Sequence, residues 1–214
     1  VKEKALTRAA EVKDERKSND ISRMRRGQLT KAAYKVVGRK GYYNFTIRDI
    51  AREAGLSAGL VHYYFKDKQD LLLNLLKEMN SNLKYFLNKA LMELTDPADK
   101  LLAFCDQAFD LVEKEKDYFY VLIDFWTQIN HNTRIRQANI KLFQSYRDEC
   151  AAILTEGVEK GVFVEMDIKF TATVIISLIQ GTIIQYVIDN GAFNYGEYTK
   201  RIKDQIITLV KKKQ

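Results

Sequence analysis

Residues 46–66, TIRDIAREAGLSAGLVHYYFK, divide into two short helices joined at a glycine, and this pattern constrains the fold more than any other stretch of the chain. Thr46 stands where its hydroxyl caps the amide three residues on, and Asp49 where it reaches back, the T-x-x-D form of a capping box. Ile47, Ile50, Ala51 and Ala54 then recur at i, i+3, i+4 and i+7 and make one apolar stripe. Gly55 ends this helix, because glycine takes positive φ without a Cβ clash. Ser57 is a good N-cap for the next helix. Leu60, Val61, Tyr64 and Phe65 form the apolar side of that second helix, which leaves Ala58, Gly59, His62 and Tyr63 facing outward. Two readings fit. One is an ordinary helical hairpin inside an all-α protein. The other is a helix-turn-helix, which lays the N-terminal part of its second helix against base edges in the major groove. The small residues at 58 and 59 suit a close approach to DNA.

Charge favours the second reading. Residues 1–66 hold 16 Lys and Arg against 7 Asp and Glu, a balance of +9, while residues 67–214 hold 19 against 21, a balance of −2. The whole net charge of +7 therefore comes from the segment with the helix pair. A basic module on a near-neutral body is the footprint of nucleic-acid binding, since neutralised phosphates release counterions. A solvated basic face or an arm for anionic lipid would look similar. The preceding helix, residues 23–40, carries the stripe Leu29, Ala33, Val36 and Val37 and stops at Gly41. It supplies a third helix, which a pair this short needs to bury a core. Residues 1–21 alternate in charge and read as a flexible or marginally helical arm. Residues 22–66 then form the DNA-binding domain, and 67–214 a helical ligand-binding and dimerisation domain.

The run GYYNFTIRDIAREAGLSAGLVHYYFKDKQDLL, residues 41–72, resembles the DNA-binding signature of the TetR family of bacterial transcription regulators. The likeness rests on the Gly-aromatic pair, Thr46, Ile50-Ala51, Ala54-Gly55, Ser57, Gly59, Tyr64-Phe65, Lys68 and Leu71-Leu72. Two positions depart from the commonest pattern: Ala58, where Lys or Arg is frequent, and Leu60, where Thr is frequent. They leave the fold expectation intact and bear on which base pairs are read. The resemblance implies a three-helix DNA-binding domain, phosphate contacts from Thr46, Tyr64 and Lys68, and a dimer built on two long C-terminal helices. With Ser57 starting the recognition helix, Arg48, Ala58, Gly59, His62 and Tyr63 are expected to face base edges.

Beyond residue 67 the pattern stays helical to the end, with no strand pattern of useful length, and the expected fold is all-α with about nine helices. A single proline, Pro97, and a 46% apolar fraction agree with a packed helical chain. Residues 118–129 are apolar nearly all round, which requires burial on several sides. Phe119, Leu122, Phe125 and Trp126 from this helix, with Phe104, Phe143 and Tyr146 from its neighbours, are candidate walls of a small-molecule pocket. Asp124, Gln128 and Gln180 are the candidate polar groups within it, and plain core packing is the alternative for each aromatic. The Phe-Trp-Thr-Gln run resembles C-terminal domains of choline-responsive repressors of the same family, without assigning choline. Ile175, Ile179, Ile183 and Val187, with Ile202, Ile206 and Leu209, are expected to pack against a second copy as a four-helix bundle. The apolar run 174–188 is shorter than the ~20 residues that span a bilayer.

No enzyme is legible. His62 and His131 are the only histidines and neither has metal-ligand neighbours; Cys105 and Cys150 match no metal spacing and read as buried thiols. No cofactor or metal is expected. The charged start of the chain lacks a secretory pattern, so a cytoplasmic location is expected. These features together point to a ligand-responsive, dimeric transcription regulator. It would be a repressor released from a palindromic operator by a small hydrophobic or amphipathic effector. The alternatives are an effector-independent structural DNA binder and an all-α small-molecule carrier that does not bind DNA.

Overall fold

The computed structural model describes residues 2–114 and 116–211, and among them every regular element is a helix. In chain order these are α1 (Lys2–Asn44), α2 (Ile47–Ala54), α3 (Ala58–Tyr64), α4 (Lys68–Met92), α5 (Pro97–Lys114), α6 (Lys116–Thr127), α7 (Thr133–Glu159), α8 (Ile168–Ile188) and α9 (Tyr195–Val210). Gly41 interrupts α1 with φ 75° and ψ 166°, at the position where the sequence places a stop. Ahead of residue 23 the backbone of α1 is helical back to Lys2; the side chains of the first 20 residues lie outside those described.

The chain divides into two compact units, Val1–Leu75 and Leu76–Gln214. The division falls inside α4 rather than at its start. Leu71, Leu72 and Leu75, near the start of that helix, are fully buried and belong to the first unit. Helices as short as α2 and α3 need them. The first core collects Leu29, Val36 and Val37 of α1, Ile50 of α2, Val61 of α3 and Phe65, all at most 2% exposed.

In the second unit the helix starts were written locally. Asp96 accepts from the Ala98 amide at 2.7 Å, with Pro97 in the first turn where its missing N–H costs nothing. Asn132 caps α7, Asp167 caps α8 and Asn194 caps α9, each through its side-chain oxygen. At the end of α7, Gly161 takes φ 69° and the amides of Val162 and Phe163 both return to the Gly157 carbonyl at 2.9 Å. This folds the Phe163 ring onto Gly157 so closely that an added Cβ would lie 1.9 Å from it.

Helices α5, α7, α8 and α9 pack on one another, and α6 joins α5, α7 and α8. Polar ties fix the register: Lys100 with Glu156 at 2.7 Å, Lys203 with Asp106, and the Tyr195 hydroxyl donating to the Phe109 carbonyl at 3.0 Å. The 21 residues of α8 are long and apolar enough to cross a bilayer, and in this fold the helix packs one part of its surface against α5, α6, α7 and α9. Four of the seven residues expected at a subunit contact lie inside that packing, while Leu209 stays outward. Ile175, Ile179, Ile183 and Ile206 are at most 4% exposed within the single chain, so their faces are already spent. The outward apolar residues of α8 and α9 are Phe170 (66% exposed), Ile188 (75%), Tyr198 (43%) and Leu209 (48%). Val187 and Ile202 are half-buried.

Candidate nucleic-acid interface and internal cleft

The capping box forms as its residue types require. Thr46 Oγ1 accepts from the Asp49 amide at 3.2 Å, and Asp49 Oδ2 accepts from the Thr46 amide at 2.9 Å. Lys40 pairs with the same carboxylate at 2.9 Å. Lys40 first, and the Thr46 amide next, hold the Asp49 pKa down to about 2. Gly55 adopts φ 64° and returns its amide to the end of α2, and Ser57 Oγ accepts from the Leu60 amide to start α3.

Helix α3 turns Val61 inward and presents Gly59, His62 and Tyr63 to solvent, with Ala58 and Tyr64 half-exposed. Tyr63 is 79% exposed and meets Tyr64 edge-on, ring centroids 5.0 Å apart. Arg48 is exposed on α2. Gly59 faces open space: a Cβ there would find no neighbour nearer than Ser57 Oγ at 3.9 Å. Nothing inside the domain requires glycine at this position.

Lys68 has a second engagement that sequence reasoning missed. Its ammonium donates to the carbonyls of Phe45 at 3.2 Å and Tyr43 at 3.4 Å and lies 3.9 Å from the centre of the Phe45 ring. Burial holds its pKa below the ordinary lysine value. It thereby closes the turn that leads into α2. Two residues of α1 play a similar part and went unread. Gln28 donates to the Ala54 carbonyl at the end of α2 (2.8 Å), and Arg26 donates to the Tyr64 carbonyl at the end of α3 (3.2 Å) with its guanidinium 5.6 Å over Phe65. Both satisfy orphan carbonyls at helix C-termini. No periodicity marks them, since the bonded carbonyls lie 26 and 38 residues away.

The second unit contains a cleft with about 860 Å³ of empty space, its open side included. Its lining is almost wholly apolar, the character of small-molecule sites. Phe104, Phe119, Leu122, Trp126, Tyr146 and Gln180 of the expected pocket line it. Phe125 instead sits in the core at 1% exposure, and half-buried Phe143 is outside the lining, its ring 5.9 Å from that of Trp126 and 6.5 Å from that of Tyr146. Asp124 is half-buried and is not among the residues that line it, although Leu122 and Trp126 on either side of it are. Ile179 and Ile183, expected at a subunit contact, line the cleft beside Ile176 and Ile184. Among the described residues no group of His, Cys, Asp and Glu has the arrangement of a metal site. Cys105 and Cys150 are both fully buried, and burial raises each thiol to about 12.

A capped helix pair on a basic three-helix unit, followed by a separate helical unit with an apolar cleft, defines a helix-turn-helix protein with a ligand-domain architecture. The sequence model of the bacterial regulatory proteins of the tetR family matches residues 29–75, and that of the BetI-type transcriptional repressor C-terminal domain matches residues 97–211. The chain belongs to the TetR family of bacterial transcriptional regulators. The fatty acid metabolism regulator protein of Bacillus subtilis is 24% identical over 190 residues, 87% of this chain and 95% of its own length. Two solved structures share the fold. One is a transcriptional regulator of Saccharomonospora viridis in complex with choline: TM-score 0.81, 24% identity, 88% of this chain and 98% of the other covered. The other is FadR of Bacillus subtilis in complex with stearoyl-CoA: TM-score 0.75, 22% identity, 85% and 97% covered.

Proposed function

We propose that the protein is a dimeric repressor that binds a palindromic operator through α3 and releases it when a hydrophobic or amphipathic effector enters the cleft. The observation that carries this reading is the outward face of α3, where Gly59 fronts open space and His62 and Tyr63 are unburied. In the complex, Thr46, Tyr64 and Lys68 contact phosphates, while Arg48, Ala58, Gly59, His62 and Tyr63 meet base edges or thymine methyls. Ser57 starts the helix that carries them. A bidentate Arg48–guanine pair is worth ~1–3 kcal/mol of discrimination. Two recognition helices must enter successive major grooves ~34–36 Å apart, which calls for a two-fold dimer. The apolar residues left outward on α8 and α9, Phe170, Ile188, Tyr198 and Leu209, are its proposed contact.

Helix α4 contributes Lys68 to the turn before α2 and Asn80, Lys84 and Leu87 to the cleft. A ligand that prefers one placement of α4 shifts DNA affinity by its differential affinity for the two states and by no more. The cleft weighs against a structural DNA binder without an effector, which would have a solid second unit. Neighbours of this fold bound to choline and stearoyl-CoA support a ligand role for it. The test is selection of bound duplexes from a random pool, repeated with amphiphiles added. Enrichment of a palindrome whose binding an amphiphile weakens is expected. No enriched palindrome, or one whose binding no amphiphile alters, overturns the reading.

A further inference from the structure

Helices α5 and α7 pack antiparallel, and two polar ties show their register. Lys160, just past the end of α7, donates to the Thr95 carbonyl ahead of α5 at 3.1 Å, and Lys100 pairs with Glu156 at 2.7 Å. Ten residues on from Thr95 and ten back from Lys160, the same register arrives at Cys105 and Cys150. That is about 15 Å along each helix. The two cysteines therefore lie level on packed helices, and both are 0% exposed. Their nearness is felt electrostatically as well. Burial first, and an ionised Cys150 next, push the Cys105 thiol up. The cleft adjoins both: Phe104 and Ala108 of α5 and Tyr146 and Glu149 of α7, each within four residues of a cysteine, line it.

A buried thiol pair can hold a soft metal ion or close to a disulfide. The metal needs thiolates, and these two thiols, raised to about 12, resist ionisation. The disulfide is neutral and leaves no charge in the core. We propose that Cys105 and Cys150 form a latch: a neutral two-electron oxidant joins them as a disulfide, which ties α5 to α7 and restricts the cleft these helices wall. Two S–H bonds break and one S–S bond forms, and both protons and both electrons pass to the oxidant. Hydrogen peroxide, as that oxidant, leaves as two waters. The bond draws the sulfurs to about 2.0 Å, so the helices lose freedom to part around a ligand. A small thiolate fraction makes the reaction slow, so the latch answers sustained oxidation rather than a brief pulse. The latch itself stands on the α5–α7 register; its regulatory consequence rests on the cleft being the effector site.

Diamide, a neutral azo oxidant, converts two thiols to a disulfide and takes up both hydrogens. After prolonged treatment of the full chain, unfolding and alkylation without reductant, mass spectrometry should find Cys105 and Cys150 linked within one chain. Melting should rise by about 5 °C or more, the usual gain from a cross-link of this kind. Trp126 is the only tryptophan and lines the cleft, so its fluorescence reports occupancy by dodecanol, an uncharged probe. Oxidation should weaken dodecanol binding at least about fivefold, and dithiothreitol should restore it. Cys105→Ala and Cys150→Ala, each keeping one thiol, should show neither the link nor the weakening; agreement between them separates loss of the bond from a packing defect. Free thiols after diamide, or a link between two chains instead, overturn the latch. A link that leaves dodecanol affinity unchanged, a weakening that survives either substitution, or no binding of dodecanol to the reduced protein overturns its hold on the cleft. Duplex binding on the same samples separates this from the regulatory reading. A working latch with duplex affinity indifferent to dodecanol sinks the effector role alone, and dodecanol-driven duplex release without a disulfide sinks the latch alone.

Discussion

Replacing Gly59 by alanine separates what the fold needs from what DNA needs. Within the domain the new methyl meets nothing closer than Ser57 Oγ at 3.9 Å, an ordinary contact distance. Gly59 is the second residue of α3, with no unusual φ to preserve. Alanine restricts the unfolded chain and favours helix by about 0.5–1 kcal/mol over glycine. For a chain of this size that is a rise of roughly 1–4 °C in melting temperature. Against base edges the same methyl occupies space that the closest approach of α3 requires. Overpacking by one methyl costs about 1–3 kcal/mol, which weakens operator binding about 5- to 150-fold. Melting followed by circular dichroism and duplex binding followed by fluorescence anisotropy give the two numbers. A variant that melts higher and binds DNA worse is expected. A variant that binds as tightly as the unaltered protein refutes the placement of this face against bases, and one that melts lower refutes the reading of open space.

Gly157→Ala is the counterpart inside the second unit: its Cβ would lie 1.9 Å from the Phe163 ring, so a loss of about 1–3 kcal/mol is expected in denaturant titration, and no loss would mean Phe163 moves freely. Arg26→Gln removes the donor to the Tyr64 carbonyl; operator affinity should fall about two- to tenfold with little change in melting, whereas unchanged affinity would show that α3 holds its end without it. Lys68→Ala should weaken binding to all duplexes and lower the salt slope by about one unit; an unchanged slope in titrations against salt would confine Lys68 to the turn it closes. Burial raises Cys105 and Cys150 from 9.0 to about 12, so the folded state keeps protons that the unfolded state loses first. Stability from these two thiols is complete below pH ~9 and falls as pH rises toward 12, by linkage. Urea midpoints measured between pH 8 and 10 should decline less in the double Cys→Ala variant than in the unaltered chain, and equal slopes would count against the burial argument.

The DNA-binding unit was legible because its information is local. Thr46, Asp49, Gly55 and Ser57 each act within four residues, and all four make the contacts their types foretell. The starts of α5, α7, α8 and α9 were readable for the same reason. What escaped was every contact set by packing between distant elements. Arg26 and Gln28 look like ordinary polar residues of α1 until α2 and α3 end beside them. Lys84 and Glu149 are 65 positions apart in the sequence and give no sign of the ion pair they form at 2.9 Å in the cleft lining.

Helix α8 shows why the division between core and partner surface was the hardest feature to read. Apolar residues occupy most of its circumference, so periodicity names no inward face and leaves the isoleucines interchangeable. In the fold they separate into distinct environments: Ile175 in the core, Ile179 and Ile183 on the cleft wall and Ile188 in solvent. Only the positions of α5, α7 and α9 decide between these outcomes, and those positions follow from side chains far away in the chain. If a second copy covers the outer side of α8, its contacts fall on Phe170 and Ile188 rather than on the residues with the strongest β-branched signal. Replacing Phe170 and Ile188 together by glutamate should then convert a dimer to a monomer in sedimentation, leaving the cleft intact. A dimer that survives that exchange places the two-fold axis elsewhere on the molecule.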